Sequence, residues 1–318
     1  MRKVLVTGGA GFIGSHVVDA LVARGDAVRV LDNLSTGKRD NLSEHLAAGR
    51  VELIEGDIRD AAAVARAVQG IELVYHEAAL ASVPRSVEAP LESHHACATG
   101  TLTVLDQARR AGVRRVVYAA SSSCYGDQPQ TSKRESDPVV PLSPYAAAKL
   151  AGEMYCQAFY HTYGLETVGL RYFNVFGPRQ DPQGAYAAVI PRFITAILAG
   201  APITVFGDGM QSRDFTYVSN VVDGNLLAGE ASGVAGQMIN LANGRSDSLL
   251  QLITTLEALL STRANVRHEP ARAGDVRDSL ADIYLARRLL KYEPRVDLEE
   301  GLRRSLPYYR QYVAATRS

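Results

Sequence analysis

Lys3-Val4-Leu5-Val6-Thr7-Gly8-Gly9-Ala10-Gly11-Phe12-Ile13-Gly14 is the stretch that decides the fold of this 318-residue chain. Lys3–Thr7 is a short apolar, β-branched run, and an amphipathic stretch from Ser15 to Ala23 follows the glycines. The pattern predicts a strand, a tight turn and a helix. Glycines at 8, 11 and 14 permit a sharp turn, close approach of backbone to a pyrophosphate, and tight packing of helix on strand. The helix N-terminus then offers unpaired N–H groups and partial positive charge to phosphates. A second apolar run, Ala27-Val28-Arg29-Val30-Leu31, ends at Asp32. A carboxylate there suits both hydroxyls of an adenosine ribose and repels a 2′-phosphate, which favours NAD over NADP. Lys38 and Arg39 are the nearby cations that could receive such a phosphate.

Strand-like runs recur at 3–7, 27–31, 51–55, 72–75, 115–120 and 166–172, with helical patterns between most of them. This alternation predicts an α/β fold, a Rossmann-type doubly wound parallel sheet with helices on both faces. Ligands of such sheets bind beyond the carboxyl ends of the strands. Gly8, Asp32, Asp57, Ala78 and Ser121 each follow a predicted strand, so one rim collects them. After Gly177-Pro178, prolines and glycines at 182, 184, 191, 202, 207 and 209 break the chain into shorter pieces. Residues 237–241 read as another buried strand, 246–260 and 283–291 as helices, and Glu293-Pro294 and Pro307 as loops or helix starts.

Lys plus Arg equals Asp plus Glu at 34 each, and no basic block suggests a nucleic-acid partner. No apolar run reaches the ~18 residues of a membrane span, and the first strand leaves no room for a signal peptide. Cys97, Cys124 and Cys156 have neither disulfide-framework nor metal spacing, so a reduced cytoplasm is expected and no metal is. His76-Glu77-Ala78-Ala79-Leu80 has leucine where a zinc-protease motif needs its second histidine. Adjacent His94 and His95 diverge on a helix. Arg109, Arg110, Arg114 and Arg115 read as a solvated helix end, with cations at the negative terminus.

Tyr145-Ala-Ala-Ala-Lys149 places a phenol and an ammonium about one turn apart on a helix face. A nearby ammonium favours the phenolate, so the pair can make tyrosine a general base. With Gly8-x-x-Gly11-x-x-Gly14, this spacing resembles the extended short-chain dehydrogenase/reductase superfamily over nearly the whole chain. Gly56-Asp57-Ile58-Arg59-Asp60, Ala119-Ala120-Ser121-Ser122-Ser123-Cys124-Tyr125-Gly126, Ser143-Pro144-Tyr145 and Arg171-Tyr172-Phe173-Asn174-Val175-Phe176-Gly177 together resemble nucleotide-sugar 4-epimerases. The resemblance implies that Ser121 hydrogen-bonds the reacting hydroxyl, Tyr145 takes its proton, and Lys149 holds Tyr145 and the nicotinamide ribose. It also implies that Phe12, Ile13, Asn33, Asp57, Ile58, Ala78 and Tyr172 join the glycines, Asp32, Tyr145 and Lys149 around the cofactor. Ser82, Ser121, Ser123, Tyr145, Asn174, Ala188, Val189, Arg213, Arg272, Asp275 and Ser279 face a UDP-sugar. Among these, Arg213 and Arg272 clamp the diphosphate and Asp275 holds a ribose. The implied division is a cofactor domain of residues 1–176 that takes back about 212–243, and a substrate lobe of 177–211 and 244–318.

Ser121-Ser122-Ser123 stands where related 4,6-dehydratases carry Thr-Asp-Glu, so no carboxylate is available there for elimination. The decarboxylating pattern around 171–179 is absent. The small Ser279, with Ala81, Ser82, Gln180 and Ala188, is similar to a branch that accepts N-acetylated sugars. Gln180–Pro191 is close to that branch's pattern. Cys97-Ala98-Thr99-Gly100-Thr101 departs from the family's Asn-x-x-Gly-Thr, and cysteine is a weak hydrogen-bonding substitute for the amide. The implied activity is NAD-dependent 4-epimerisation of UDP-hexoses. A UDP-uronic acid 4-epimerase and a non-catalytic NAD-binding regulator are the competing readings. Helices within 85–111 and 143–163 pair between subunits in many relatives, which implies a homodimer.

Overall fold

The computed structural model describes residues 1–128, 130–183, 187–270 and 277–317. Five strands, β1 (Lys3–Thr7), β2 (Ala27–Asp32), β3 (Val51–Glu55), β4 (Leu73–His76) and β5 (Arg115–Ser121), join Glu166–Tyr172 and Gln237–Leu241 in one sheet. The order is 237–241, 166–172, β5, β4, β1, β2, β3. Every pairing is parallel. Val4, Leu5 and Val6 are all fully buried, which fits a strand covered on both faces and explains its unbroken apolar run.

On one face pack α1 (Phe12–Ala23) and the helices Val218–Glu230 and Tyr284–Leu290, through Val17, Leu21, Val221 and Leu290. On the other pack Ala61–Ala67, Gly100–Arg110 and Pro144–Tyr163, through Val64, Leu105, Cys156 and Phe159. A third core gathers Phe176, Phe193, Ile194, Val205, Leu252, Leu302 and Tyr309. A small sheet of Asp247–Ser248, Ser212–Arg213, Asp278–Ala281 and Ser132–Lys133 lies apart from the large one.

The predicted helix over 246–260 begins at Leu249. Ser248 caps it in a reciprocal box with Gln251, and Asp247–Ser248 is spent on strand pairing. Two expectations fail. Pro307 neither breaks nor starts a helix, because it lies inside Leu298–Arg317. The proline is exposed, and Leu302, Leu306 and Tyr309 anchor the same helix in the third core. Packing there overrides the missing backbone donor. Arg115 is not solvated either, being only 3 % exposed. Its Nη1 donates to Ala228 O and Ala231 O, both at 2.8 Å, at the carboxyl end of Val218–Glu230. Its Nε donates to Glu166.

Candidate active site

The glycine turn is set by contacts that no side chain could share. Gly8 has φ +69°, and a Cβ there would lie 2.7 Å from the backbone of Ala78. A Cβ on Gly14 would lie 2.2 Å from Gly8 O. No side chain caps α1, and its first turn holds no acidic residue. Its first-turn amides and dipole are therefore left for an outside anion. At the end of β2, Asp32 Oδ2 accepts the Ala10 amide at 2.9 Å and Oδ1 accepts the Leu34 amide at 2.8 Å. Burial pushes the carboxyl up, against the pull of these two donors. Asp32 thus clips the glycine turn to the following loop while keeping lone pairs for a ribose. Arg39 is paired with Glu55, and Lys38 lies 4.0 Å from Asp181, so both cations near β2 already face carboxylates. These residues fit NAD.

Asn33 donates to Asp57 at 2.9 Å. Hydrogen bonds from Arg59 hold the Asp57 carboxyl down at about 2. Ile58 is buried against Gly100, where a Cβ would come within 2.6 Å of it. Phe12 packs toward the third core and Ile13 toward the α1 face of the sheet. Tyr172 is buried, and its hydroxyl is already committed: it donates to Glu77 Oε1 at 2.9 Å and accepts from Asn225 Nδ2 at 2.7 Å.

Ser121 ends β5, and Ser143 starts the helix Pro144–Tyr163 by accepting the Ala146 amide. Pro144 occupies the first turn, where its missing N–H costs nothing. Tyr145 and Lys149 therefore stand on the opening turns of a rigid helix. Ser121 Oγ lies 2.9 Å from Ser123 Oγ and accepts the Ser123 amide at 3.2 Å. It also lies near enough to the Tyr145 phenol to lower its proton affinity. The serine is both a turn cap and a neighbour of the phenol.

The expected effect of Lys149 on Tyr145 requires correction. Burial pushes the phenol well above its ordinary value, the Cys97 thiol adds to the rise, and only the neighbouring Ser121 hydroxyl opposes it. Lys149 is 2 % exposed, with Nζ 4.5 Å from the centroid of the Tyr118 ring. Burial lowers its proton affinity, opposed by Cys97, Glu77 and Glu153. In this state desolvation dominates both members of the pair.

Cys97 is fully buried on a π-helical turn, His95–Thr99, and packs with Ala98 and Ala148 beside Tyr145. The sequence reading missed the support beneath it. Thr7 Oγ1 meets His76 Nδ1 at 2.7 Å, His76 Nε2 meets Thr101 Oγ1 at 3.0 Å, and Thr101 donates to Cys97 O at 2.6 Å. Burial holds His76 neutral, down at about 3. The stretch set aside as a failed zinc motif is therefore a buried strut, and its Glu77 enters the site.

A cavity of about 300 Å³ is lined by Asn174, which follows the strand Glu166–Tyr172, and by Ala188, Val189, Arg192, Phe206 and Arg213 among others; Ser121, Tyr145 and Lys149 do not line it. Asn174 has φ +34° and donates to Asp214 O at 3.2 Å. Arg213 donates from Nη1 to Ser212 O and Arg277 O. Ala188 stands at the N-cap of Val189–Ala199, whose first turn has no side-chain cap and no acidic residue. Arg192 and Phe206 were not foreseen, since a lone arginine on a helix and a lone phenylalanine in a strand carry no local signal. Ser279 pairs in register with Arg213 but is not among the cavity-lining residues. Ser82 caps Val83–Glu88 by accepting the Arg85 amide. Arg272 and Asp275 lie outside the described residues.

Residues 4–242 match the NAD dependent epimerase/dehydratase family. The chain is 39% identical over 310 residues to a UDP-glucose 4-epimerase of Mycolicibacterium smegmatis, covering 97% of this chain and 98% of the relative. It superposes with a TM-score of 0.94 and 39% identity on a UDP-N-acetylglucosamine 4-epimerase from Methanobrevibacter ruminantium in complex with UDP-N-acetylmuramic acid, covering 98% and 99% of the two chains. A UDP-glucuronic acid 4-epimerase from Bacillus cereus, in complex with UDP-glucuronic acid and NAD, gives a TM-score of 0.90 at 31% identity, covering 98% and 100%. With a matching family spanning most of the chain and relatives aligned end to end, this protein belongs to the NAD dependent epimerase/dehydratase family.

Proposed function

We propose that the protein is an NAD-dependent UDP-sugar 4-epimerase, an isomerase that accepts N-acetylated UDP-hexoses at least as well as plain ones. The observation that carries this reading is Ser121 near the phenol of Tyr145, with Lys149 one turn on, in a fold that also holds a cavity lined by two arginines and an uncapped helix start. Arg213, Arg192 and the amides at Val189 supply positive charge for a diphosphate, and the Phe206 ring is a flat apolar platform for a base. Gly8, Gly11, Gly14, Asp32 and the start of α1 would hold NAD, with Asn33, Asp57, Ile58 and Ala78 around it. Arg272 and Asp275 are retained as substrate contacts on the resemblance alone.

When bound, NAD would supply a hydride acceptor and donor for C4 of the sugar, and the 4-keto sugar would turn over in the cleft between the two transfers to present its other face. The protein's part is position and proton control. Ser121 orients the 4-hydroxyl, and Tyr145 accepts its proton as C4 becomes a ketone. Tyr145 then returns that proton to the oxygen when C4 is reduced, so no net proton is consumed. Lys149 keeps positive charge near the phenol. Burial alone drives Tyr145 away from ionisation, so the phenol becomes basic only as positive charge enters the cleft.

Ala188 is a small residue of the cavity wall, Ser279 is retained as a small residue at the sugar on the resemblance alone, and the likeness to a UDP-N-acetylglucosamine 4-epimerase supports acceptance of a 2-acetamido group. The uronate reading rests on the likeness to UDP-glucuronic acid 4-epimerases. Initial rates on UDP-glucose, UDP-N-acetylglucosamine and UDP-glucuronic acid, without added NAD, test the proposal. Turnover of the acetylated sugar at a rate equal to or above that of UDP-glucose is expected. Strong selectivity for UDP-glucose removes the acetyl preference, and turnover of UDP-glucuronic acid alone replaces it with the uronate reading.

We also infer a homodimer in the cytoplasm. Val87 and Leu91, on short helices packed against Pro144–Tyr163, are 65% and 71% exposed, and Met154 and Tyr155 continue the apolar surface along the long helix. Among the described residues no helix is long and apolar enough to cross a membrane.

A further inference from the structure

Thr7, His76 and Thr101 are each at most 1 % exposed, and they come from three elements: the end of β1, the end of β4 and the helix Gly100–Arg110. Their hydrogen bonds run in one direction only. Thr101 Oγ1 lies 2.6 Å from Cys97 O, a distance at which two bare oxygens repel, so the hydroxyl gives its one proton to that carbonyl. Toward His76 Nε2, at 3.0 Å, Thr101 can then only accept, and Nε2 must carry the ring hydrogen. Burial keeps the ring neutral, so Nδ1 is bare and accepts the Thr7 hydroxyl at 2.7 Å. A lone pair of Thr7 remains for the Ala78 amide, at 3.4 Å. The ring is also fixed in its plane. It stacks on Tyr118 with centroids 5.7 Å apart, and the Tyr118 hydroxyl donates to Lys149 O at 3.1 Å.

The chain of hydrogen bonds ends on the π-helical turn His95–Thr99, a rare winding that persists where outside contacts hold it. Cys97 and Ala98 of that turn pack with Ala148, and Tyr145 lies against the same cluster. At its other end the chain starts beside Gly8, where a Cβ would lie 2.7 Å from the Ala78 backbone. We propose that His76, as its Nε2–H tautomer, is a positioning residue: through Thr101 it seats the π-helical turn against Tyr145 and ties that seat to the glycine turn. This deepens the epimerase reading and rests on it for the role of Tyr145. None of Thr7, His76, Cys97 and Thr101 lines the cavity that holds Arg213, so loss of the chain should act on turnover and leave substrate binding alone.

The test has two arms. Nitrogen NMR of protein carrying isotope-labelled histidine, near neutrality and without substrate, reads the tautomer, with His76 assigned by through-bond correlation. The expected spectrum has a pyrrole-like Nε2 and a pyridine-like Nδ1 for His76. A hydrogen on Nδ1, alone or together with Nε2, overturns the proposal. In the second arm, Thr101→Val keeps the bulk of the side chain and removes the link, while Thr101→Ser restores the hydroxyl. In folded Thr101→Val, kcat should fall roughly tenfold with KM and retained NAD little changed, and Thr101→Ser should recover most of the loss. Parental kcat in Thr101→Val, or an equal loss in Thr101→Ser, overturns the proposal. Should Thr101→Val not fold, the tautomer of the parent decides. Because the tautomer is read without turnover, its failure stays distinct from failure of the epimerase reading, which the substrate panel decides.

Discussion

In the proposed reaction Tyr145 sets the chemistry, and its surroundings set when that chemistry can run. Burial raises the phenol, and the neighbouring Ser121 hydroxyl is the one influence lowering it. A Tyr145→Phe substitution removes the proton acceptor while leaving the glycine turn and Asp32 intact. NAD binding, followed by fluorescence, should persist, and kcat should fall by at least ~100-fold. Retention of parental rates would remove Tyr145 from the mechanism. Cys97 stands where the family pattern has asparagine, and its Sγ is 4.0 Å from Leu80 O. An asparagine there gains a true donor for that carbonyl. Cys97→Asn should leave initial rates similar or raise them, whereas complete inactivation would assign the thiol its own role.

At the scale of elements, the helix Pro144–Tyr163 must hold Tyr145 and Lys149 steady against β5 and the strand Glu166–Tyr172. The Arg171–Glu153 pair pins it, with Arg171 also donating to the Tyr125 hydroxyl at 2.8 Å and Tyr125 donating to Asn240 Oδ1 at 2.6 Å. This chain ties the catalytic helix, the serine turn and two adjacent strands together. Glu153→Gln leaves Arg171 buried without its counter-charge. Urea denaturation should show a stability loss of about 3 kcal/mol, in the range for breaking a buried pair by one partner. A loss within experimental error would mean that solvent reaches the pair in solution. Gly152 belongs to the same interface, since a Cβ there would lie 2.2 Å from the Tyr118 hydroxyl.

At the scale of the molecule, the exposed apolar residues Met154 and Tyr155 lie on Pro144–Tyr163, and the exposed Val87 and Leu91 on two short helices packed against it. Burial of these residues in a homodimer would also brace the back of the active site. Leu91→Glu should yield a monomer by analytical ultracentrifugation, with lower thermal stability. A parent that sediments as a monomer would remove the dimer reading.

Much of the architecture was legible because parallel strands covered on both faces leave continuous apolar runs, and because a pyrophosphate-binding turn admits only glycine at certain positions. Strands were placed to within a residue, and Gly8, Asp32 and Ser121 fell on one rim because every strand of the large sheet points the same way. What could not be read locally was everything that depends on desolvation or on contacts between distant segments. Tyr145 and Lys149 are four residues apart, yet burial, not their spacing, governs their proton affinities in this state. Arg115 looked like a solvated cation until Val218–Glu230 brought its terminal carbonyls to it, and Pro307 looked like a break until the third core held its helix straight through. Glu77 carried no motif at all. Its place comes from Tyr172, far from it in sequence, whose hydroxyl the folded sheet brings to its carboxylate and Asn225 holds there.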